Sequence, residues 1–252
     1  MRRSLILAVS AAVLLSTAAF APAPVQEPGD YAYVLVSETR PEADRDRDEA
    51  RHTAEILAFA EVKPDDRIAD MIIGGGFWTR AFARVVADGS GEITAWQPAE
   101  FIAFQASYGE AIAAADEMDR VTAIRSPIGA PQFPQGLDLI FTNQNYHDLH
   151  LQPFAADTAA KVNAAAFAAL KPGGLYVIID HAAQPGAGLG VAHTLHRIDI
   201  ADVKREVEAA GFVLDGESGI LLNGEDPLTA NVFHESIRGH TSQFMLRFRK
   251  PA

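Results

Sequence analysis

The chain has 252 residues, of which 48% are hydrophobic and 21% charged, and its formal net charge is −12. This length and apolar content suit a single α/β domain with a sizeable core and exclude wholesale disorder. The negative charge argues against a basic surface for nucleic acid or anionic membranes, and the absence of cysteine excludes disulfides, thiolate metal sites and cysteine nucleophiles.

The first 21 residues have the pattern of a signal peptide. Arg2 and Arg3 form a basic start, an apolar run covers residues 5–15, and small residues at 17–21 fit a cleavage site. The arginine pair also loosely fits a twin-arginine signal, and a retained anchor is a further alternative, although the apolar run is short for a membrane span. We therefore predict a periplasmic or secreted protein with no stable membrane span after cleavage.

Residues 22–42 are rich in proline and polar groups and are predicted to form a flexible lead-in to a domain that covers residues 43–252. Alternating charges, followed by apolar residues at helical spacing, predict a solvated helix that ends before Pro64. Its Arg51 and His52 are the residues that could reach a cleft.

The central pattern of the chain is a short buried strand over residues 68–73 that turns through Gly74, Gly75 and Gly76 into a helix. Glycines permit a positive φ and close approach of a ligand, while a helix N-terminus offers unpaired N–H groups. Further strands are predicted at residues 92–96, 121–125, 137–142 and 175–180, with helices at 99–115, 155–170 and 200–210.

Strands that alternate with helices predict a mostly parallel sheet with helices on both faces. The last two strands, near residues 213–221 and 243–249, have no clear helix between them, and they are predicted to form an antiparallel hairpin at one edge. Ligands bind such sheets at the carboxyl ends of the strands, so the residues that follow the first five strands are expected to line one cleft.

Polar residues that can perform acid–base chemistry follow the fourth and fifth strands. His147 beside Asp148 suits a general base oriented by a carboxylate. The alternative is structural, with Tyr146 packed in the core and His147 bonded to nearby backbone. The candidate catalytic residues are Asn145, Tyr146, His147, Asp148, Asp180 and His181.

Five of the eight histidines fall near this predicted edge, at positions 147, 150, 181, 193 and 196. One alternative is therefore a metal-dependent enzyme, with a divalent transition metal on Asp180, His181 and His196 together with His147. Exposed loop histidines are common, however, and no spacing matches a zinc signature such as His-Glu-x-x-His. No residue is therefore assigned as a metal ligand.

The order of these elements, the turn from Asp70 to Gly76 and the Leu-Lys-Pro-Gly-Gly run before the fifth strand resemble class I S-adenosylmethionine-dependent methyltransferases. Residues 69–79, 144–148, 180–181 and 194–199 further resemble a bacterial group of predicted, often exported, methyltransferase-like proteins. The resemblance implies a seven-stranded, Rossmann-like α/β sandwich, mostly parallel with an antiparallel C-terminal edge. It also implies S-adenosylmethionine as cofactor and methyl transfer to an unknown small molecule.

In the family that the chain resembles, the acid at the position of Asp70 helps to hold the methionine amino group, and the glycines at 74–76 lie under the cofactor. Carboxylates at the ends of the second and third strands meet the ribose and the adenine. Here the second strand ends in Gln97, with Glu100 as the nearest acid, and Arg125-Ser126 follows the third strand. The implied cofactor-binding residues are Asp70, Gly74, Gly75, Gly76, Gln97 and Glu100.

Three positions depart from that pattern. Ile72 stands where the first glycine is usual, and neither the ribose acid nor the adenine acid is present. A neutral amide accepts hydrogen bonds more weakly than a carboxylate, and two lost charge-assisted bonds at about 1.5–3 kcal/mol each would weaken cofactor binding about a hundredfold or more. The alternative is an exported, cofactor-free binding protein on the same fold.

Overall fold

The computed structural model describes residues 26–252. The predicted signal peptide, residues 1–21, and the start of the predicted lead-in, residues 22–25, lie outside the described residues. Among the helices that the structure describes, none combines the length and the apolar character needed to cross a bilayer. Export therefore stays a prediction.

Seven strands form one mixed sheet. They are β1 (Arg67–Met71), β2 (Glu92–Pro98), β3 (Val121–Ser126), β4 (Leu137–Asn143), β5 (Leu170–His181), β6 (Val213–Ser218) and β7 (Gln243–Arg249). Their order is β3-β2-β1-β4-β5-β7-β6, with the first five parallel and β7 antiparallel to both β5 and β6. The predicted fold class, including the antiparallel C-terminal edge, is confirmed.

Within residues 26–252 the helices are short. They are α1 (Ala32–Leu35), α2 (Glu42–Arg45), α3 (Thr53–Phe59), α4 (Phe77–Val86), α5 (Ala99–Phe104), α6 (Ala106–Asp116), α7 (Thr158–Ala169), α8 (Gly190–Leu195) and α9 (Ile200–Ala209), with 3-10 turns at Pro28–Tyr31 and His147–His150. Two helices predicted as continuous are broken. His52 has a left-handed backbone before α3, and Gln105 is extended between α5 and α6.

The segment predicted as a flexible lead-in packs against the domain over its described part. Tyr31 is 2% exposed, and its hydroxyl donates a hydrogen bond to the carbonyl of Val62 at 2.7 Å. Arg40 is buried and forms a two-pronged ion pair with Asp48, both contacts at 2.8 Å. The prediction failed because its proline and polar content hid Tyr31 and Val34, which are both buried in the core.

Two apolar clusters cover the two faces of the sheet. Ile68 and Val177 belong to the cluster that includes α3 and α4, while the next residues along the same strands, Ala69 and Ile178, belong to the cluster that includes α7 and α9. Successive side chains of a strand point to opposite faces, so a strand covered on both sides is apolar throughout. This accounts for the continuous apolar runs in β1 and β5.

The strand order reverses at the centre of the sheet. β1 pairs with β2 on one side and with β4 on the other, so the chain reaches β3 before it returns to the opposite side. In sheets of this kind the carboxyl ends of the two central strands part and leave a crevice that binds ligands. Here that crevice lies beyond Met71 and Asn143.

Candidate active site

The turn that follows β1 has an unusual backbone. Ile72, Gly74 and Gly76 all have a positive φ, at 63°, 54° and 77°. The N–H groups of Ile72 and Ile73 donate to the carbonyl of Trp96 at 2.9 and 3.2 Å, and Gly76 caps α4. Ile72 therefore adopts, at the position where a glycine is usual, the left-handed conformation that a β-branched residue rarely takes.

Asp70 lies beneath this turn and is 2% exposed. Thr79 in the first turn of α4 donates a hydrogen bond from its hydroxyl to Asp70 Oδ2 at 2.6 Å. Burial raises the pKa of Asp70 to about 7, and the bonds from Thr79 offset only part of this effect. Near neutral pH the carboxyl group can therefore either lose its proton to meet a cation or keep it as a donor.

A cavity of about 940 Å³ opens at this edge of the sheet. Asp70, Gly74 and Gly75 line it on the β1 side, and no atom lies within 4 Å of a Cβ built at Gly74 or Gly75. The glycine turn therefore faces open space, as the sequence predicts. Gly76 is different, because a Cβ there would meet Arg80 Nη1 at 2.8 Å.

Two residues predicted to bind a cofactor, one at the end of β2 and one at the start of α5, have different environments. Gln97 is fully buried outside the cavity lining, and its side-chain oxygen accepts a hydrogen bond from the N–H of Gly74 at 3.1 Å. Glu100 lines the cavity, and its Oε2 accepts from the N–H of Ile128 at 2.9 Å. The side-chain oxygen of Gln97 is therefore directed at the turn, while its amide nitrogen is buried without a hydrogen-bond partner, so its role as a ligand contact stays a prediction.

Asn145 and Tyr146, both predicted to be catalytic, also have different environments. Asn145 lines the cavity, and its side-chain amide donates to the carbonyls of Ile72 at 3.1 Å and Asn143 at 2.6 Å. Tyr146 is fully buried away from the cavity lining, and its hydroxyl donates to Glu206 at 3.0 Å and accepts from Asn163 at 2.8 Å. The structural alternative therefore holds for Tyr146, and the catalytic prediction for it is wrong.

His147, Asp148 and Asp180 form one buried cluster. The N–H of His147 donates to Asp180 Oδ2 at 2.6 Å, and Nδ1 of the same histidine lies 2.8 Å from Asp180 Oδ1. On the other side of the ring, Nε2 lies 3.2 Å from Asp148 Oδ1. Burial alone would lower the pKa of His147, but the carboxylates of Asp180 and Asp148 outweigh it and raise the pKa to about 10. With these partners the imidazole holds a proton, which favours a donor over the predicted general base.

The remaining histidines of the predicted cluster contact different partners. His196 lines the cavity, with its Nδ1 3.3 Å from His147 Nε2. His181 also borders the cavity, but its Nδ1 contacts the Thr241 hydroxyl at 2.8 Å, and burial lowers its pKa to about 4. His150 lies against Glu206 at 3.0 Å, outside the cavity. The metal set of Asp180, His181, His196 and His147 is therefore wrong as predicted, because Asp180 lies behind His147 and His181 is directed at Thr241.

An arginine wall, Arg47, Arg51 and Arg80, lines the cavity on the side of α4. Arg80 is paired with Asp44 at 2.5 and 3.0 Å. The guanidinium groups of Arg47 and Arg51 lie over the ring of Phe77, 5.6 and 4.5 Å from its centre. Burial lowers the pKa of Arg51 to about 10, so it remains a cation at neutral pH. Of these three arginines only Arg51 was predicted to reach a cleft, although the four-residue spacing of Arg47 and Arg51 signals one shared side; His52, predicted with it, does not line the cavity.

Phe233 covers part of the cavity opening. Its ring centre lies 4.9 Å from that of His196, and 62% of the side chain is exposed. The neighbouring Val232 donates its N–H to the carbonyl of Leu195 at 3.1 Å, which attaches this segment to the end of α8. The sequence alone does not distinguish Phe233 from its neighbours in the long connection between β6 and β7.

Solved structures share this architecture. A SAM-dependent methyltransferase from Aquifex aeolicus matches with a TM-score of 0.58 at 16% identity, over 88% of this chain and 98% of that chain. The [4+2]-cyclase SpnF matches at 0.57 and 15%, over 81% of each chain. CrArsM, an arsenic(III) S-adenosylmethionine methyltransferase from Chlamydomonas reinhardtii, matches at 0.50 and 17%, over 76% of this chain and 64% of that chain.

The sequence matches no protein-family model, and a search of curated proteins finds no match. At such low identities the structural matches establish the fold alone. This chain has the class I S-adenosylmethionine-dependent methyltransferase fold, as its resemblance implied. One of the matched proteins is a cyclase, so the fold by itself does not establish methyl transfer.

Proposed function

We propose that this protein transfers the methyl group of S-adenosylmethionine to a small molecule. The observation that carries the proposal is the position of Asp70 and the open glycine turn at the crevice edge of a methyltransferase fold. The cavity there, about 940 Å³, has the volume of a site for a drug-sized ligand or larger, which suits a cofactor beside a small methyl acceptor.

The residues present fit the cofactor at three points. The buried carboxyl of Asp70 suits the cofactor's ammonium group, and the bare backbone of Gly74 and Gly75 leaves room for close approach. Glu100 lines the same cavity and uses only its Oε2 to hold Ile128, so the other oxygen is left to accept from ligand hydroxyl groups. Glu100 would thus take the place of the acid that β2 does not provide.

When bound, the cofactor supplies a methyl group on a positively charged sulfur that a nucleophile can attack. The work of the chain is then to hold the acceptor in line with that group. Asn145 contributes by bonding the turn after β1 to the loop after β4, which keeps the two cavity walls in register. Arg47 and Arg51 are cations on a third wall and favour an acceptor that carries an anionic group.

The first test is calorimetric titration of the protein, purified without added cofactor, with S-adenosylhomocysteine. We expect micromolar binding, about −8 kcal/mol. Gly75→Leu should abolish it by filling the open space above the turn. Gly224→Leu is the matched control, because Gly224 also has open space around it but does not line the cavity.

Equal melting temperatures for the two variants would show that Gly75→Leu acts on binding and not on folding. Absence of heat at millimolar ligand with the unaltered protein would overturn the proposal. Unchanged affinity in Gly75→Leu would overturn the placement of the cofactor.

A further inference from the structure

Three side-chain atoms converge on one point at the wall of the cavity. They are Nε2 of His147, Oδ1 of Asp148 and Nδ1 of His196. Nε2 of His147 lies 3.2 Å from the Asp148 oxygen and 3.3 Å from the His196 nitrogen, and the last two atoms are 4.0 Å apart. We propose that these three residues bind a divalent transition metal ion, and that Zn²⁺ suits the site best.

The separations agree with metal–ligand bond lengths. The point equidistant from the three atoms lies about 2.1 Å from each of them, and Zn²⁺ binds imidazole nitrogen and carboxylate oxygen at about 2.0–2.2 Å. From that point two pairs of atoms subtend about 105° and the third pair about 150°. A filled d shell imposes no preferred angle on Zn²⁺, so the ion tolerates this uneven set of angles.

Asp180 orients the central ligand. It is fully buried, accepts the main-chain N–H of His147, and lies 2.8 Å from Nδ1 of the same ring. A proton on Nδ1 directed at this carboxylate leaves the lone pair of Nε2 for the metal. Carboxylate, histidine and metal in this sequence are the usual support of a histidine ligand, and loss of the carboxylate typically weakens metal binding 10–100-fold.

The surroundings suit a divalent cation. Asp148 and Asp180 bring two negative charges, and the ion would displace the proton that these carboxylates favour on Nε2 of His147, because histidine binds metal in its neutral form. The third ligand, His196, is held at the end of α8 by a left-handed backbone at φ 54° and by the ring of Phe233, 4.9 Å away. All three ligands line the large cavity, so at least one coordination position faces a bound small molecule or water, as in catalytic zinc sites.

The inference does not rest on the proposed methyl transfer, and its test uses no cofactor. The protein, freed of any histidine tag and stripped with a chelator, is titrated with Zn²⁺ against a chromophoric competitor. We expect one equivalent to bind with submicromolar affinity and to raise the melting temperature. Substitution by Co²⁺ should give a visible absorption band that reports nitrogen and oxygen ligands.

Three variants distinguish a specific metal site from nonspecific metal binding. His196→Ala and Asp148→Asn should each weaken Zn²⁺ binding at least about 100-fold and remove the rise in melting temperature. His193→Ala is the matched control, since His193 lines the same cavity but lies outside the ligand set, and it should bind as the unaltered protein does. Zn²⁺ affinity that is equal in His196→Ala and the unaltered protein, or no binding at about 100 μM Zn²⁺, would overturn the proposal.

Discussion

The side-chain oxygen of Gln97 accepts a hydrogen bond from the main-chain N–H of Gly74 at 3.1 Å. This contact joins the end of β2 to the glycine turn after β1, in the position where related folds carry an acid for the ribose of the cofactor. Gln97 is fully buried and does not border the cavity. The side-chain oxygen thus shapes the turn from behind and is already engaged there.

An acid at this position should therefore destabilise the protein. In Gln97→Glu the new carboxylate would be buried, and its ionisation should cost about 2–4 kcal/mol of unfolding free energy between pH 5 and pH 8. Affinity for S-adenosylhomocysteine should not improve. Urea unfolding at the two pH values and calorimetry measure both effects.

The control for this variant is Gln132→Glu, which adds the same charge at a position outside the buried core and should change stability by no more than about 0.5 kcal/mol. Tighter nucleoside binding in Gln97→Glu would show that the side chain reaches the ligand after all.

Ile72 and Ile73 are neighbours, both buried, yet only Ile72 has a left-handed backbone, at φ 63°. Glycine at position 72 would lose the apolar side chain but relieve the backbone, whereas glycine at 73 would lose the side chain without that relief. Ile72→Gly should therefore be less destabilising than Ile73→Gly by about 1–2 kcal/mol. Chemical denaturation of the two variants gives the difference, and a cost at 72 equal to or above that at 73 would contradict the strain.

Asp70 should give the protein a measurable pH dependence. Burial raises its folded pKa from 3.8 to about 7, so between these values the folded protein keeps a proton that the unfolded chain loses. Its contribution to the unfolding free energy therefore falls as the pH rises through this window and is constant above it. Relative to Asp70→Asn, which cannot titrate, the wild type should lose about 2–4 kcal/mol between pH 4 and pH 8.

Other groups that titrate in this range, such as Asp66 and His181, are common to both proteins and cancel in the difference. The nearest opposing charge, Arg80, is also unchanged and attenuates the effect without reversing it. A difference that stays constant across the range would show that Asp70 is ionised throughout.

The fold was predictable because its strands carry continuous apolar runs and its helices follow glycine and proline boundaries. Side-chain direction was harder to predict. Asp180 and His181 were placed in one metal set, but neighbouring residues of a strand point to opposite sides, and Asp180 turns to His147 while His181 turns to Thr241. The alternation of side chains along a strand is by itself enough to separate these two residues.

Other predictions were wrong because they depended on contacts that the local sequence does not reveal. The hydroxyl of Tyr146 is held by Glu206, 60 residues away, and no local pattern announces that contact. The alternating charges before α3 were interpreted as a solvent-facing side, yet Asp44 and Asp48 are buried in ion pairs with Arg80 and Arg40. Charge alternation alone does not distinguish a solvated side from one that pairs inward.

Arg197 and Asp226 form a fully buried ion pair through two contacts of 2.8 and 3.0 Å, and Asp226 also accepts the N–H of Ser242 at 2.7 Å. His196 precedes this arginine, and Phe233 lies in the loop that the aspartate and Ser242 close. The pair therefore links the segment that carries His196 to the loop that carries Phe233. For protein engineering, the pair anchors both ends of residues 227–240, so exposed positions of that segment such as Phe233 can be varied at the cavity rim while the glycine turn stays untouched.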